Sequence, residues 1–324
     1  MKVGIYGAGA IGGWLGARLG LDGHAVAVVA RGATLDALRT HGLRLIEADV
    51  TRAVTVDASD DPAALGAQDV VIVAVKAPAM AAVAAGIGPL IGEHTVVVTA
   101  MNGVPWWFCA GLGAEFAPTR LESIDRAGAI AAAIPAERVI GCVVHASCLQ
   151  EAPGVIRHRL GNGLILGEAT GGASERLARL ARALSSAGFD VECSERIQRD
   201  IWFKLWGNMT MNPISAMTGA TTDRVLDDEL VRAFATSVMR EAAEIGRRIG
   251  IPIDQDPEAR HEVTLRLGAM KTSMLQDVLA RKPVEIDALV SAVRELGQVT
   301  GVPTPYTDVL LGLSRLHART LGLY

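Results

Sequence analysis

The stretch that decides the fold is Lys2-Val-Gly-Ile-Tyr-Gly7-Ala8-Gly9-Ala10-Ile11-Gly12. Residues 2–6 form a short β-prone run, a Gly-x-Gly-x-x-Gly pattern opens a helical segment, and a second strand pattern covers residues 25–30. In such a β-α-β unit the glycines allow a tight turn, close approach of a pyrophosphate and close packing of helix on strand. The phosphates bind at the helix N-terminus, where free N–H groups favour anions. We therefore expect a dinucleotide-binding loop; a glycine-rich turn without a ligand is the alternative.

The end of the second strand indicates which dinucleotide binds. NAD-binding chains usually carry Asp or Glu there, whereas this chain has Arg31. A guanidinium suits a 2′-phosphate and favours NADP(H), although an exposed loop arginine is also common. Two further strand-like runs, 69–75 and 95–100, lead to Lys76 and Asn102. Ligands bind beyond the carboxyl ends of parallel strands, so both residues either line a crevice or are ordinary loop residues.

The length of 324 residues predicts two domains. Further strand-like runs cover residues 138–145 and 163–167, but from about Arg196 onward the hydrophobic period becomes helical, with one long helix over residues 230–249. The expected fold class is α/β. An N-terminal, NADP-binding Rossmann-like domain with a parallel sheet should cover residues 1–195, and an all-helical substrate and catalytic domain should cover residues 196–324.

Composition and charge exclude several classes of protein. Half of the residues are hydrophobic, and the net charge of -4 comes from both signs scattered along the chain. No basic patch predicts binding to nucleic acid or to an anionic membrane surface, and no apolar run is long enough to span a bilayer. The four cysteines show no CxxC pair and no histidine at metal-ligand spacing. We expect reduced thiols, no metal site, no signal peptide and a cytoplasmic protein.

A polar stripe marks the start of the C-terminal half. Lys204, Asn208 and Asn212 recur every four residues within a segment rich in tryptophan and leucine, so they share one face of a largely buried helix. Polar groups in such surroundings suggest a site, because burial without a partner is costly. The alternative is a solvated stripe in which Asn212 ends the helix before Pro213.

Three other features each allow two interpretations. The cluster at residues 106–108, Trp-Trp-Phe, lies in the irregular segment 104–135 and either anchors a long loop or covers a substrate or dimer surface. Ser273 could cap a helix. Glu285 could be an ordinary acid in the first turn of a helix.

Taken together, the motifs resemble those of the ketopantoate reductase (2-dehydropantoate 2-reductase) family. They follow the order of that family along nearly the whole chain. The matching elements are Gly7-x-Gly9-x-x-Gly12, Arg31, Val75-Lys76, Asn102-Gly103, Trp202-x-Lys204-Leu205-x-x-Asn208-x-x-x-Asn212-Pro213, Ser273-Met274-Leu275-Gln276-Asp277, Glu285-Ile286-Asp287 and Gly301-Val302-Pro303-Thr304-Pro305.

The resemblance implies NADPH-dependent reduction of a 2-oxo acid to a 2-hydroxy acid. Lys204 would donate the proton to the substrate carbonyl oxygen, and Glu285 would orient that lysine or the cofactor. Asn208, Asn212 and Ser273 would hold the substrate. The residues Met274, Leu275 and Gln276 would line its pocket, while the cofactor would contact Gly7, Ala8, Gly9, Ala10, Ile11, Gly12, Arg31, Lys76, Asn102 and the backbone near Ser147. A homodimer is expected from the apolar C-terminal helices.

Departures from the family pattern leave the substrate open. Thr222 stands where family members often have a substrate-contacting asparagine, and Leu289-Val290-Ser291 replaces a common Asn-Gly. The region from Trp106 to Pro135 also looks longer than in compact members. The leading hypothesis is reduction of ketopantoate; the alternatives are a reductase of a bulkier 2-oxo acid and a non-catalytic NADP(H)-binding regulator.

Overall fold

The computed structural model describes residues 1–266 and 268–324. They form two compact units. The first comprises Met1–Met101 and Gly128–Ile197, and the second comprises Asn102–Ala127 and Gln198–Tyr324. The segment Asn102–Ala127 thus packs with the C-terminal helices, although it lies inside the N-terminal domain expected from the sequence. The reason is aromatic packing, since the buried Phe108 ring lies 5.9 Å from the ring of Trp202.

The first unit contains a mixed sheet in which most neighbouring strands are parallel. Its described strands are β1 (Lys2–Tyr6), β2 (Ala25–Val29), β3 (Leu43–Glu47), β4 (Val50–Val54), β5 (Asp57–Ser59), β6 (Gln68–Val73), β7 (Ile91–Thr99), β8 (Val139–Ala152), β9 (Val155–Glu168) and β10 (Asp190–Cys193). The order is β4-β3-β9-β8-β7-β6-β1-β2-β5, with β10 added beside β9. The pairs β3–β4 and β8–β9 are antiparallel. The central strands β1, β6 and β7 are buried on both faces, which explains their nearly continuous apolar sequences.

Helices complete the first unit and form the second. In the first unit they are α1 (Ala10–Leu21), α2 (Gly32–His41), α3 (Met80–Gly86), α4 (Ala129–Ala133) and α5 (Glu175–Ser186). The second unit contains α6 (Ile197–Thr218, from Gln198 onward), α7 (Thr222–Asp227), α8 (Glu229–Arg248), α9 (Pro257–Leu265), α10 (Ser273–Leu279), α11 (Ala292–Thr300) and α12 (Pro305–Thr320), with a π-helical turn at Asp287–Ser291. The predicted α/β fold class, a Rossmann-type sheet followed by helices, is confirmed.

The helix that carries the polar stripe continues through its proline. α6 runs to Thr218 and contains Pro213 in its interior, so the alternative in which Asn212 ends the helix is wrong. The helix is buried on nearly all sides, and the indole N–H groups of Trp202 and Trp206 donate to the carbonyl oxygens of Ala242 and Met239 on α8. None of the helices in the described part of the chain has the length and apolar character needed to cross a membrane.

Candidate active site

The glycine-rich loop has the shape that a dinucleotide requires. Gly7 has a φ of +100°, a left-handed conformation that side chains disfavour. A Cβ atom on Gly12 would lie 2.1 Å from the carbonyl oxygen of Gly7, so only glycine fits there. A Cβ on Gly9 would enter open space, with no atom within 4 Å. Side chains would clash at Gly7 and Gly12, whereas the space next to Gly9 is open. A pyrophosphate could therefore approach the backbone at Gly9.

A cavity of about 300 Å³ adjoins this loop within the first unit. Its lining includes Gly7, Ala8, Gly9 and, at the end of β2, Arg31. Ala10, Ile11 and Gly12 form the first turn of α1, whose N–H groups have no intrahelical partner and suit a phosphate. The exposed Arg31 precedes α2 and adds a cation at the cavity.

Two other predicted cofactor residues belong to the same unit but not to the lining of this cavity. Lys76 follows Val75, which does line it, and Ser147 lies within β8 beside a register shift of the β8–β9 hairpin. Their contact with a cofactor stays a prediction.

In the second unit, the predicted proton donor Lys204 forms a hydrogen bond with the side-chain amide of Asn102. The Nζ atom of Lys204 donates a hydrogen bond to Oδ1 of Asn102, and the two atoms are 3.0 Å apart. Asn102 begins the segment that packs with this unit, which explains how a residue next to β7 reaches α6. Such a bond helps to hold the ammonium group in one position.

A second pair of predicted site residues also meets in this unit. The Nδ2 atom of Asn212 donates to Oγ of Ser273 over 3.3 Å. The N-cap of α10 is Thr272, whose hydroxyl accepts a hydrogen bond from the N–H of Leu275. Ser273 follows it and is not the cap. The hydroxyl of Ser273 is therefore not used in capping, and Ser273 is exposed. Asn208 is half-buried one turn before Asn212.

The remaining predicted residues differ in exposure. Met274 and Leu275 are each 2% exposed and pack as core residues, whereas the exposed Gln276 donates from Nε2 to the carbonyl oxygen of Lys271. Glu285 is 9% exposed and lies just before the π-helical turn, a local irregularity that is frequent at functional sites. The roles assigned to these four residues stay predictions.

The segment around Glu285 is tied to residues 323 and 324. The N–H of Val284 donates to the carbonyl oxygen of Leu323, and the hydroxyl of Tyr324 donates to Oδ1 of Asp287 over 2.8 Å. Burial together with this hydrogen bond raises the pKa of Tyr324. The sequence patterns had indicated no such tether, because it joins residues far apart in the chain.

Comparison with known proteins identifies the family. A profile described as "Ketopantoate reductase PanE/ApbA" matches residues 3–171, and "Ketopantoate reductase PanE/ApbA C terminal" matches residues 196–318. The chain belongs to the ketopantoate reductase family. The resemblance expected from the motifs is thereby confirmed, and with it membership of a family of oxidoreductases.

Ketopantoate reductases similar to this chain span its whole length. A 2-dehydropantoate 2-reductase of Mesorhizobium japonicum is 45% identical over 325 residues and covers 100% of both chains. A crystallised protein of Ralstonia solanacearum MolK2, provisionally assigned as a ketopantoate reductase, is 62% identical, with a TM-score of 0.96 over 100% of this chain and 99% of that one. A PanE/ApbA family ketopantoate reductase of Ralstonia eutropha JMP134 is 28% identical, with a TM-score of 0.85 over 99% and 100%.

Proposed function

We propose that this protein is a cytoplasmic 2-dehydropantoate 2-reductase, which uses NADPH to reduce ketopantoate to pantoate. The observation that carries the proposal is the hydrogen bond from Lys204 to Asn102, which holds a lysine in place on a largely buried helix. Family membership and the 45% identity to a 2-dehydropantoate 2-reductase support the same reaction.

Lys204 is proposed as the proton donor. Bound NADPH would supply a hydride to the carbonyl carbon of the substrate, and negative charge would then develop on the carbonyl oxygen. An ammonium group near that oxygen stabilises the charge and transfers a proton to it. Asn102 accepts one N–H of Lys204 and so directs the remaining N–H groups. Glu285, buried and close in sequence to the π-helical turn, is proposed to orient this lysine or the cofactor.

The substrate is proposed to bind to amides and a hydroxyl of the same unit. Asn208, Asn212 and Ser273 offer donors and acceptors to the hydroxyl and carboxylate of ketopantoate, with residues 274–276 beside them. The hydrogen bond between Asn212 and Ser273 supports a joint role, since it places the two polar groups side by side.

NADPH is proposed rather than NADH because of Arg31. This exposed guanidinium lines the cavity beside the glycine-rich loop, and it could donate two parallel hydrogen bonds to a 2′-phosphate. Lys76 and the backbone near Ser147 are proposed as further cofactor contacts. In an Arg31→Ala variant the Kd for NADPH should rise about tenfold or more while that for NADH changes little, corresponding to loss of a charged hydrogen bond. Equal changes for both cofactors would contradict the assignment.

The test of the reaction is NADPH oxidation at 340 nm with ketopantoate. The wild type should turn over efficiently, and kcat should fall by orders of magnitude in Lys204→Ala because the proton donor is lost. Lys2→Ala is the matched control, since Lys2 is an exposed lysine of β1 and lies in the other unit. No turnover of ketopantoate by the wild type, or full activity of Lys204→Ala, would refute the proposal.

One observation keeps a second substrate under consideration. Thr222 stands where a substrate-contacting asparagine was expected, but it is 1% exposed and its hydroxyl donates to the carbonyl oxygen of Gly268 over 3.0 Å. The hydroxyl of Thr222 therefore forms a hydrogen bond inside the protein. A bulkier 2-oxo acid is the alternative substrate, and a panel of branched and aromatic 2-oxo acids measured beside ketopantoate decides between them by kcat/KM.

We also propose that the enzyme is a homodimer. Tyr306, Val309, Leu313 and Leu316 form an apolar stripe along α12, and their exposed fractions lie between 47% and 64%. An exposed stripe of this kind is typical of a surface covered by a second chain. Light scattering should give the mass of a dimer for the wild type and that of a monomer for Leu313→Glu.

A further inference from the structure

Residues 322–324 form a short strap that follows α12 in the second unit. Gly322 has a φ of +68°, so the helix ends in a left-handed turn. Leu323 is 5% exposed, and its carbonyl oxygen accepts a hydrogen bond of 3.1 Å from the N–H of Val284. These two features anchor the strap and place Tyr324 beside the π-helical turn.

Two hydroxyl groups meet at one carboxylate oxygen of this turn. The hydroxyl of Tyr324 donates to Oδ1 of Asp287 over 2.8 Å, and the hydroxyl of Ser291 donates to the same oxygen over 2.7 Å. Asp287 and Ser291 are the first and last residues of the π-helical turn. Hydrogen bonds to a carboxylate are stronger than those between neutral groups. Tyr324 therefore holds both ends of the turn through a single oxygen atom.

The π-helical turn also contacts the segment that begins with Asn102. The N–H of Val104 donates to the carbonyl oxygen of Ala288 over 2.8 Å, and a Cβ atom on Gly103 would lie 2.7 Å from the Cβ of Ala288. The backbone of the segment thus lies directly against the turn. Close-packed contacts transmit strain, so a shift of the turn displaces the segment. Such a shift would move Asn102, whose Oδ1 accepts from Nζ of Lys204 over 3.0 Å.

We propose that Tyr324 is a positioning residue, which fixes Asn102 and thereby the direction of Lys204. It acts through Asp287 and the π-helical turn. This inference rests on the proposed function, in which Lys204 donates the proton. Proton transfer requires a donor within hydrogen-bond reach of the acceptor, and a small displacement that starts far from the reacting atoms can cost much of the rate. Each link from Tyr324 to Lys204 is a hydrogen bond or a packed contact within the second unit.

Steady-state kinetics with ketopantoate and NADPH test the role of the hydroxyl. In Tyr324→Phe, kcat should fall about three- to tenfold, as expected for the loss of one partly exposed hydrogen bond. The KM for ketopantoate should stay within twofold, because the proposed substrate contacts Asn208, Asn212 and Ser273 are not among these links. Tyr306→Phe is the matched control. Tyr306 is 47% exposed, against 46% for Tyr324, and the substitution keeps its ring, so kcat should equal that of the wild type.

Variants of the linking residues show whether the effect follows the proposed path. In an Asn102→Ala background, Tyr324→Phe should lower kcat no further, because the amide that Tyr324 positions is absent. Asp287→Asn keeps the acceptor oxygen and should retain more activity than Asp287→Ala. A general loss of stability would instead lower kcat by the same factor with and without Asn102.

Hydrogen–deuterium exchange followed by mass spectrometry measures the link without reference to activity. In Tyr324→Phe, the peptide that contains Val104 should exchange about three- to tenfold faster, because the turn that accepts its N–H is less firmly held. Peptides from α8, which belongs to the same unit, should exchange as in the wild type.

The outcomes distinguish this inference from the proposed function. If the wild type is active and Tyr324→Phe keeps kcat within twofold, or loses the same factor with and without Asn102, the assignment of Tyr324 is overturned. Unchanged exchange at Val104, or faster exchange throughout the second unit, would also overturn it. If the wild type reduces another 2-oxo acid but not ketopantoate, the proposed substrate is wrong, and that acid replaces ketopantoate in the same comparison. If the wild type reduces no 2-oxo acid, both proposals fail.

Discussion

Replacing Gly103 by alanine should destabilise the second unit and disturb the position of Asn102. Gly103 has a φ of +78°, and an added Cβ would lie 2.5 Å from the carbonyl oxygen of Ala288 in the π-helical turn. A side chain in the left-handed region costs about 1–2 kcal/mol. Forcing extra atoms into a packed contact costs about 1–3 kcal/mol. The sum is a loss of about 2–5 kcal/mol in the free energy of unfolding.

A second glycine, Gly219, serves as a control that separates the backbone cost from the packing cost. Gly219 lies in the same unit with a φ of +73°, but a Cβ there would meet no atom within 4 Å. Gly219→Ala should therefore carry only the backbone cost of about 1–2 kcal/mol. Denaturant and thermal unfolding of both variants measure the difference, which should reach roughly 2–4 °C in Tm for each kcal/mol.

The same substitution should lower turnover. The N–H of Val104 donates to the carbonyl oxygen of Ala288 over 2.8 Å, so displacement of this turn moves the segment that begins with Asn102. The amide would then hold Lys204 less well, and kcat should fall in Gly103→Ala but not in Gly219→Ala. If Gly103→Ala is as stable and as active as Gly219→Ala, the reasoning from this contact is wrong.

Three further predictions concern the glycine-rich loop, a buried ion pair and the cysteines. Gly12→Ala should destabilise the protein because its Cβ meets the loop carbonyl, whereas Gly9→Ala should unfold like the wild type yet bind NADPH more weakly; thermal unfolding and fluorescence titration check both. Burial would raise the pKa of Glu168, but hydrogen bonds from Arg176 and Ser174 outweigh it and hold that pKa below its usual value. Glu168→Gln should therefore cost about 2 kcal/mol at neutral pH, as expected for a lost hydrogen bond to a charged group. This cost should disappear in urea unfolding as pH falls below the usual carboxyl range, because the stabilisation exists only while the carboxylate is ionised. Alkylation of the native protein at pH 8, followed by mass spectrometry, should modify the exposed Cys193 alone, since burial raises the pKa of Cys148 to about 12 and that of Cys109 to about 11, and Cys142 is buried.

Local sequence patterns predicted those elements whose structure depends on only a few neighbouring residues. The glycine-rich loop, the apolar strands β6 and β7 and the long helix α8 were predicted because turn chemistry and periodicity act over a few residues. The hairpin of β3 and β4 was not predicted. Leu43 and Leu45 are buried and alternate with half-exposed residues, but five residues make a weak pattern. Arg44 pairs both with Ala53 on β4 and with Val155 on the distant strand β9.

The β8–β9 hairpin was predicted only in part. Its buried ends matched the expected strands near residues 138–145 and 163–167, but each strand has 14 residues. Register shifts at Ser147 and near Gln150 interrupt the alternation of exposed and buried side chains. A period of two cannot be followed through such irregularities, which is why Ser147 could be placed only by resemblance to the family.

Sequence patterns predicted the site residues that share one helix. They did not predict contacts between residues that are far apart in the chain. Lys204, Asn208 and Asn212 share the spacing of one face, whereas no local pattern joins Lys204 to Asn102 or Asn212 to Ser273. A packing contact left one trace in the sequence, because Gly207 lies between Lys204 and Asn208 in the interior of a predicted helix, where glycine is unfavourable. A glycine at such a position usually has a packing or functional reason. Here the reason is packing, since a Cβ atom at Gly207 would lie 3.0 Å from Nε of Arg260 and the guanidinium would have to move aside.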